Sequence, residues 1–491
     1  MSANDSAVEP SVPSLGLGSR ALRNTTLVLT AKVVARLIAL FTVFYMIRKL
    51  GTTDYGAFSV LINLAAIASV ALDLGFNVLF VREGARHRDQ IQRYLRNVMS
   101  LRLLMSAVAL LILAALVYPI GLGDLIVPGF VLMVLTSYST LLRNGLYAVQ
   151  QLGFEAIAVI LESVVLLAFV LYGGITHQGV AYFVWAYAAQ YGFDCVYFTV
   201  VLALKRIAVI GWSFETALLR EWFWKGLPFA LTFVLTILYF RIDQPLVFIF
   251  HGRVDSSLYA AAYKPIEALL FVPITFLSII FPVLSVYHRE RPNDMLDALS
   301  RFYKALLLMG WPCSVGIFVL AQPLTPLLLG RGFEHSEGPL RVLALALAVA
   351  FINNTFIGAL NASDRQVSFS WVAGWSVVVN LALNLALVPP FSYNGASWAT
   401  VGTELSLAVL GWILTARHVG RIPVARLSWR VILAGLIMGA AIYPLSSVQG
   451  YEVAIPVVAG AIIYAVAAVL LRALTGEEIA WARRALAQAR T

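Results

Sequence analysis

The sequence is poor in charge. Only 12% of its 491 residues are Asp, Glu, Lys or Arg, and 60% are of hydrophobic type, against roughly 25% charged in a soluble globular chain. That balance excludes a water-soluble fold. Cysteine is nearly absent: Cys195 and Cys313 both lie in apolar runs, which leaves neither a disulfide framework nor a zinc site. No Walker-type glycine loop occurs, so ATP hydrolysis by this chain is not expected. No small-residue cleavage pattern follows the first apolar segment, which is therefore not read as a cleaved signal peptide. Against 25 Asp and Glu stand 35 Lys and Arg, a net charge of +10. In a soluble chain this excess would suggest nucleic acid, whereas in a membrane chain it reflects basic cytoplasmic loops.

What the sequence has in quantity is apolar runs. A crossing helix takes about 20 apolar residues, and fourteen such spans are found at 24–47, 57–80, 97–118, 124–147, 155–174, 179–204, 227–250, 257–286, 303–329, 338–360, 366–388, 395–416, 429–447 and 453–472. An all-α integral membrane protein is expected. With both termini cytoplasmic, 25 of the 35 Lys and Arg fall in inside segments, Arg143 among them, and five in outside loops (Arg48, Lys49, Arg253, Arg331 and Arg341). The other five, Lys32, Arg36, Arg102, Arg241 and Lys264, fall within spans. The asymmetry predicts a multi-pass cell-membrane protein with cytoplasmic termini. Its short outside loops leave no room for an extracytoplasmic catalytic domain, and no catalytic or metal-ligating set is identified. Phe214, Leu218, Leu219, Trp222 and Phe223 recur at helical spacing, which predicts an amphipathic linker on the cytoplasmic surface. Glu477 to Thr491 reads as a second surface helix, with Glu early and Arg late.

Two echoes point to a duplication. Gly51, Asp54, Tyr55, Gly56 and Ala57 after the first span match Gly252, Asp255, Tyr259, Ala260 and Ala261 after the seventh. Gly179-Val180-Ala181, opening the sixth span, matches Gly395-Ala396-Ser397, opening the twelfth. The expected organisation is a cytoplasmic tail (1–22), a six-helix lobe (23–204), a linker (205–226), a second six-helix lobe (227–418), a linker (419–428), two accessory helices (429–474) and a tail (475–491). Repeated lobes of parallel topology are one way in which carriers build alternating access, with the substrate between them.

Leu50-Gly51-Thr52-Thr53-Asp54-Tyr55-Gly56, Leu72-Asp73-Leu74-Gly75-Phe76 and Val81-Arg82-Glu83-Gly84-Ala85-Arg86 follow one another in the first half. The second half carries Arg241-Ile242-Asp243-Gln244, Tyr259-Ala260-Ala261-Ala262-Tyr263, Leu328-Leu329-Gly330-Arg331-Gly332-Phe333, Asn380-Leu381-Ala382-Leu383-Asn384 and Asn394-Gly395-Ala396-Ser397-Trp398-Ala399-Thr400 with Glu404. This ordered set resembles the polysaccharide flippases of the multidrug, oligosaccharidyl-lipid and polysaccharide exporter superfamily. The resemblance implies a flippase that carries a polyprenyl-pyrophosphate-linked oligosaccharide to the outer leaflet. It further implies a monomer embedded in membrane lipids, working beside glycosyltransferases or a polymerase of the same pathway and binding no nucleic acid. The accessory helices at 429–472 carry no recognised motif.

Charges within spans are costly and are functional candidates by default. Arg36 lies too deep to reach the interface, whereas Lys32, one turn earlier on the same face, either snorkels or joins it. Arg241 and Asp243 cannot face each other two residues apart, so Asp243 meets substrate or pairs elsewhere, with Lys264 or Arg36. Pro245 should kink the seventh span. Lys264 and Glu267, three residues apart, can neutralise each other. Arg36, Lys32, Arg241, Asp243 and Lys264 are thus the substrate-binding candidates, because cationic lobes suit a pyrophosphate. Asp73, which can also bridge to Lys32 or Arg102, and Glu404, which can also bond another helix, are the ion-coupling candidates. The ion would be H+ or Na+, with no other cofactor.

Three readings compete: a cation-coupled drug extruder of the same superfamily, a lipid II flippase, and a membrane glycosyltransferase or polymerase. The extruder would favour acids over the basic charges seen, and the enzyme would need the outer domain that is missing. The charge asymmetry predicts the orientation directly: alkaline phosphatase fused after Gly332 will be active in cells, and fused after Gln90 it will be inactive.

Overall fold

A computed structural model describes residues 15–474, with side chains from residue 30 onward except those of 232, 292, 293, 366 and 367. The tail helix expected at 477–491, the first 14 residues and the side chains of Arg20 and Arg23 lie outside this set. The helices are α1 (Leu15–Ala68), α2 (Val70–Asp73), α3 (Phe76–Arg86), α4 (Ile91–Val117), α5 (Ile126–Ala148), α6 (Leu152–Ile175), α7 (Val180–Leu204), α8 (Thr216–Arg241), α9 (Asp243–Glu290), α10 (Pro292–Leu329), α11 (Glu337–Ala362), α12 (Gln366–His418), α13 (Val424–Ile442) and α14 (Ala454–Leu470). Among the described residues there is no strand. Lipid offers no hydrogen bonds to the backbone, so each segment must satisfy its own N–H and C=O groups, as a helix does.

Among the described residues eleven stretches are long and apolar enough to cross a membrane, where fourteen were expected. Three of them, Thr30–Asp73, Thr216–Glu290 and Ser368–His418, run 44, 75 and 51 residues, at least twice what one crossing needs. Each contains one residue with non-helical backbone: Gly51, Gly252 and Ser392. The two counts differ at those three residues. Gly51 (φ 71°, ψ −177°) and Gly252 (φ 83°, ψ −167°) share one left-handed conformation that glycine adopts freely. They are also the leading residues of the first sequence echo, so the repeat extends to the backbone.

Two further breaks position charge. Pro245 has no N–H for the carbonyl of Arg241, and the helix is interrupted at Ile242, as the proline predicts. The second expected span is interrupted as well, between Ala68 and Phe76, with Leu74 (φ 43°) and Gly75 (φ 78°) both left-handed. Nothing in the composition pointed to that break.

The helices form two bundles that touch at both ends. α1 packs on α6 and α9, α5 on α7, and α11 on α10 and α12, while α13 packs on α14 and α10. Near Gly51, an apolar cluster joins Met46, Ile47, Tyr55 and Phe58 to Leu258, Leu329 and Phe333. Arg48 donates to the carbonyls of Leu327 and Leu328, and Arg253 donates to that of Gly121 at 3.0 Å. At the other end, Gly75 abuts Gly226, Phe229 and Ala230, and Arg82 lies over the Phe229 ring.

Two expectations are corrected here. The linker at 212–225 is not a separate surface helix: α8 starts at Thr216 and runs on through the span, and Leu219 and Trp222 are buried. Trp222 stacks near Phe76 and Tyr94 because α3 and α4 cover that face of α8. Just before α8, Glu215 accepts hydrogen bonds from Arg93, which hold its carboxyl below the usual range. Arg143, assigned above to an inside loop, lies within α5.

Where α1 crosses α9, a Cβ on Gly56 would sit 2.0 Å from the carbonyl oxygen of Arg253. Gly56→Ala must therefore separate two backbones, at a cost of about 1–3 kcal/mol. The expected outcome is a lower unfolding temperature in detergent, with Gly153→Ala, where the added carbon meets nothing, as the unaffected control.

Candidate functional site

Polar side chains meet where the bundles face each other. Arg36 of α1 donates to the backbone carbonyl of Glu267 on α9 at 2.9 Å. Arg241, the last residue of α8, donates to Asn63 Oδ1 at 3.1 Å. Asn63 in turn donates to Gln244, and Gln244 to Ser59. Lys264 and Glu267 form the expected i,i+3 pair at 2.7 Å. The Glu267 carboxylate lies in the fields of Lys264, Arg241 and Arg36 together. One acid, paired with Lys264, thus lies within electrostatic range of two further cations, a net positive seam on helices α1, α8 and α9. A cleft lined only by aliphatic side chains, among them Ile67, Val70, Val234 and Leu238, lies one turn along the same helices from Asn63 and Arg241.

The structure brings together Arg36, Arg241 and Lys264, and places Lys32 and Asp243 elsewhere. Lys32 is 3.6 Å from Glu155 on α6. Asp243, 8% exposed, contacts neither Lys264 nor Arg36, contrary to the pairing weighed from sequence. It accepts from Tyr259 (2.9 Å), Asn384 (2.9 Å) and Thr400 (3.2 Å), all neutral donors. Asp243 shares a small pocket with Tyr239, Tyr263, Asn380, Thr400, Thr403 and Glu404. Glu404 accepts from Tyr239 and from Asn353 (2.7 Å), the helix-to-helix bond foreseen as its alternative. Asn380 Oδ1 and Asn384 Oδ1 are buried without a donor. A buried carboxylate with no cationic side chain, beside orphaned hard oxygens, is a donor set that fits a monovalent cation or a proton.

The other buried charges are paired within the first bundle. Asp73, an ion-coupling candidate, lies 3.3 Å from the buried Arg102 and caps α3 by accepting from Asn77 N at 3.1 Å. The break at Leu74–Gly75 creates that cap. Arg143 contacts Glu162 and Asp194. Sequence reasoning passed over Asn63 and Gln244, neutral residues in apolar runs. Their only signal was their position beside the Arg241 motif and the second span.

A family model described as polysaccharide biosynthesis protein matches residues 21–288. A second, described as lipid II flippase MurJ, matches residues 212–455. A probable lipid II flippase MurJ of Rhizobium meliloti (strain 1021) is 24% identical in an alignment 419 residues long that covers 77% of this chain and 76% of that protein. The solved structure of a lipid II flippase MurJ in an inward closed conformation superposes with a TM-score of 0.73 at 15% identity, covering 91% of this chain and 99% of the other. An inward-facing multidrug resistance MATE family transporter of the MOP superfamily gives 0.60 at 14% identity, covering 79% and 98%. These likenesses carry the fold.

The pocket at Asp243 has a direct readout. A cation held there at a hundred times its dissociation constant stabilises the folded chain by about 2.7 kcal/mol. Sodium chloride, compared with choline chloride, is expected to raise the unfolding temperature of the wild type and to have no such effect on Asp243→Asn.

Proposed function

The chain belongs to the polysaccharide biosynthesis protein family, and from that premise we propose that it is a flippase moving a polyprenyl-diphosphate-linked saccharide from the cytoplasmic to the outer leaflet. The observation that carries this reading is the seam, where Arg36, Arg241 and Lys264 stand against the single acid Glu267. A diphosphate brings roughly two negative charges, and two guanidinium forks can each bind its oxygens bidentately. Arg36 now spends its donor on a backbone carbonyl and leaves Nε without a partner, so it is available to a better acceptor. The aliphatic cleft one turn away offers a prenyl chain an apolar surface beside the headgroup site. An organic cation would meet the wrong sign of charge, which counts against a drug extruder.

Alternating access requires the contacts at each end to open in turn. Arg48, Arg253 and the Tyr55–Phe333 contact hold one end, and Gly75 against Gly226 holds the other. The pocket at Asp243, within the second bundle, is the proposed site for a coupling ion, H+ or Na+. Asp73, already neutralised by Arg102, serves as a structural bridge on this reading. The termini are proposed to be cytoplasmic and the membrane to be the cell membrane.

Two saccharides fit one pyrophosphate site. The oligosaccharide of a surface polysaccharide follows from the family. Lipid II is the second reading, supported by the flippase model over residues 212–455 and by the Rhizobium relative. Expression in strains depleted of either flippase separates them: restored growth after lipid II flippase depletion favours lipid II, and restored surface glycan favours the oligosaccharide. In whichever strain the wild type complements, Arg36→Ala and Arg241→Ala are expected to fail. Each loses a charge-assisted bond worth about 1.5–3 kcal/mol, roughly a tenfold to hundredfold loss in affinity. Full complementation by both variants at normal expression would sink the reading.

A further inference from the structure

The first bundle holds a charge cluster that the seam and the acid pocket do not use. Arg143 on α5 touches two carboxylates through one nitrogen: Nη2 lies against Glu162 Oε2 of α6 and 3.0 Å from Asp194 Oδ2 of α7. Asp194 is fully buried and also accepts from Ser139 at 3.0 Å, yet its Oδ1 has no donor at all. Glu162 and Asp194 lie within hydrogen-bond reach of each other. Phe198 closes the far side, with its ring 5.2 Å from the guanidinium carbon. If both acids were ionised, two negative charges would share one positive charge in a largely buried site, and two carboxylates in contact would have no hydrogen between them. One proton removes both faults: it balances the charge and supplies Asp194 with a donor.

We propose that Arg143, Glu162 and Asp194 form a proton-binding site of the first bundle, with one exchangeable proton shared between the two carboxylates and released when the seam opens. Release breaks one O–H bond, passes the proton to entering water and leaves a second carboxylate; nothing is oxidised or reduced. The titratable groups facing the site are few. Tyr147 on α5 is held by Glu155, itself beside Lys32 of α1, and Cys195 lies beside Asp194 on α7. Tyr191, one turn before Asp194, feels Glu162, Arg143, Asp194 and, across the seam, Arg241. Tyr191 therefore lies within electrostatic range of both this cluster and Arg241. Because each acid interacts with the other, the titration belongs to the pair.

The proton itself does not depend on the flippase reading, although its link to transport does. The test uses the full chain in lipid nanodiscs without substrate. Infrared difference spectra of wild type against Glu162→Gln are expected to show a protonated-carboxyl band at neutral pH that shifts in deuterium oxide and disappears on raising pH. Glu162→Gln keeps an amide donor toward Asp194 and a carbonyl toward Arg143, so its unfolding temperature should match the wild type. Asp194→Asn leaves one acid against one guanidinium and should lose the same band, which carries the test if the glutamine variant fails to fold. No band in either difference spectrum, a band that does not titrate, or a band retained in Asp194→Asn would overturn the proposal. In reconstituted flipping, Glu162→Gln should flatten the pH dependence. If the band behaves as expected while no polyprenyl-linked saccharide moves, the flippase reading has failed and the proton site stands.

Discussion

The lack of water in the bilayer core is the constraint on which this structure depends. It forces every backbone group into a helix, and it makes each charge inside a span answer to a partner. Helices follow from apolar runs alone, so the architecture is generic. The charges are what distinguish this chain from any other bundle of similar length. Arg102 illustrates the rule: it is the largest fully buried side chain, and Asp73, Asn77 and the carbonyl of Ser137 share its donors. Removing one partner of such a group leaves an uncompensated charge and costs far more than the net worth of the pair.

Measured against that rule, the buried charges sort into two kinds. Asp73 with Arg102 and Lys32 with Glu155 are one-to-one pairs, complete in themselves. The seam, the Asp243 pocket and the Arg143 cluster are unbalanced: two positive charges in excess at the seam, two acids (Asp243 and Glu404) without a cation, and two acids on one guanidinium. An imbalance in a dry site calls for a compensating species, and its sign names the species. Excess positive charge calls for an anion, and excess negative charge calls for a cation or a proton. The functional reading therefore rests on charge stoichiometry, which side-chain contacts supply and which a list of intramembrane charges cannot.

That distinction explains what the sequence carried. Hydropathy located the apolar body of each helix because burial in lipid writes itself into composition, although α8 and α10 start at Thr216 and Pro292, well before the expected 227 and 303, and Gly51 and Gly252 revealed the repeat because only glycine takes that backbone conformation easily. Pro245 announced the break at Ile242 through its missing N–H. Arg36, Arg241 and the Lys264–Glu267 pair were legible for the same reason: a charge in an apolar run stands out, and i,i+3 spacing is local. The partners were not legible. Nothing in spacing says that Asp243 meets Tyr259, Asn384 and Thr400, residues 16, 141 and 157 positions away. Nor does it say that Arg143, near enough to a span end to count as a loop residue, reaches two acids on different helices. Neutral Asn63 and Gln244 raise no flag in a hydropathy profile.

The duplication sharpens this contrast. The two halves keep the same glycine conformation at equivalent places, Gly51 and Gly252. Their buried charges have diverged: the first half sets its acids against Arg102, Arg143 and Lys32, and the second surrounds Asp243 with neutral donors. A symmetric pair of bundles with symmetric charges could rock without favouring any ligand in one half over the other. With Asp243 and Glu404 bare of cations in one bundle and a guanidinium-bound acid pair in the other, the halves present different charge sites on a common helical frame. The asymmetry between the halves is thus built from side chains, with the helical frame left in common.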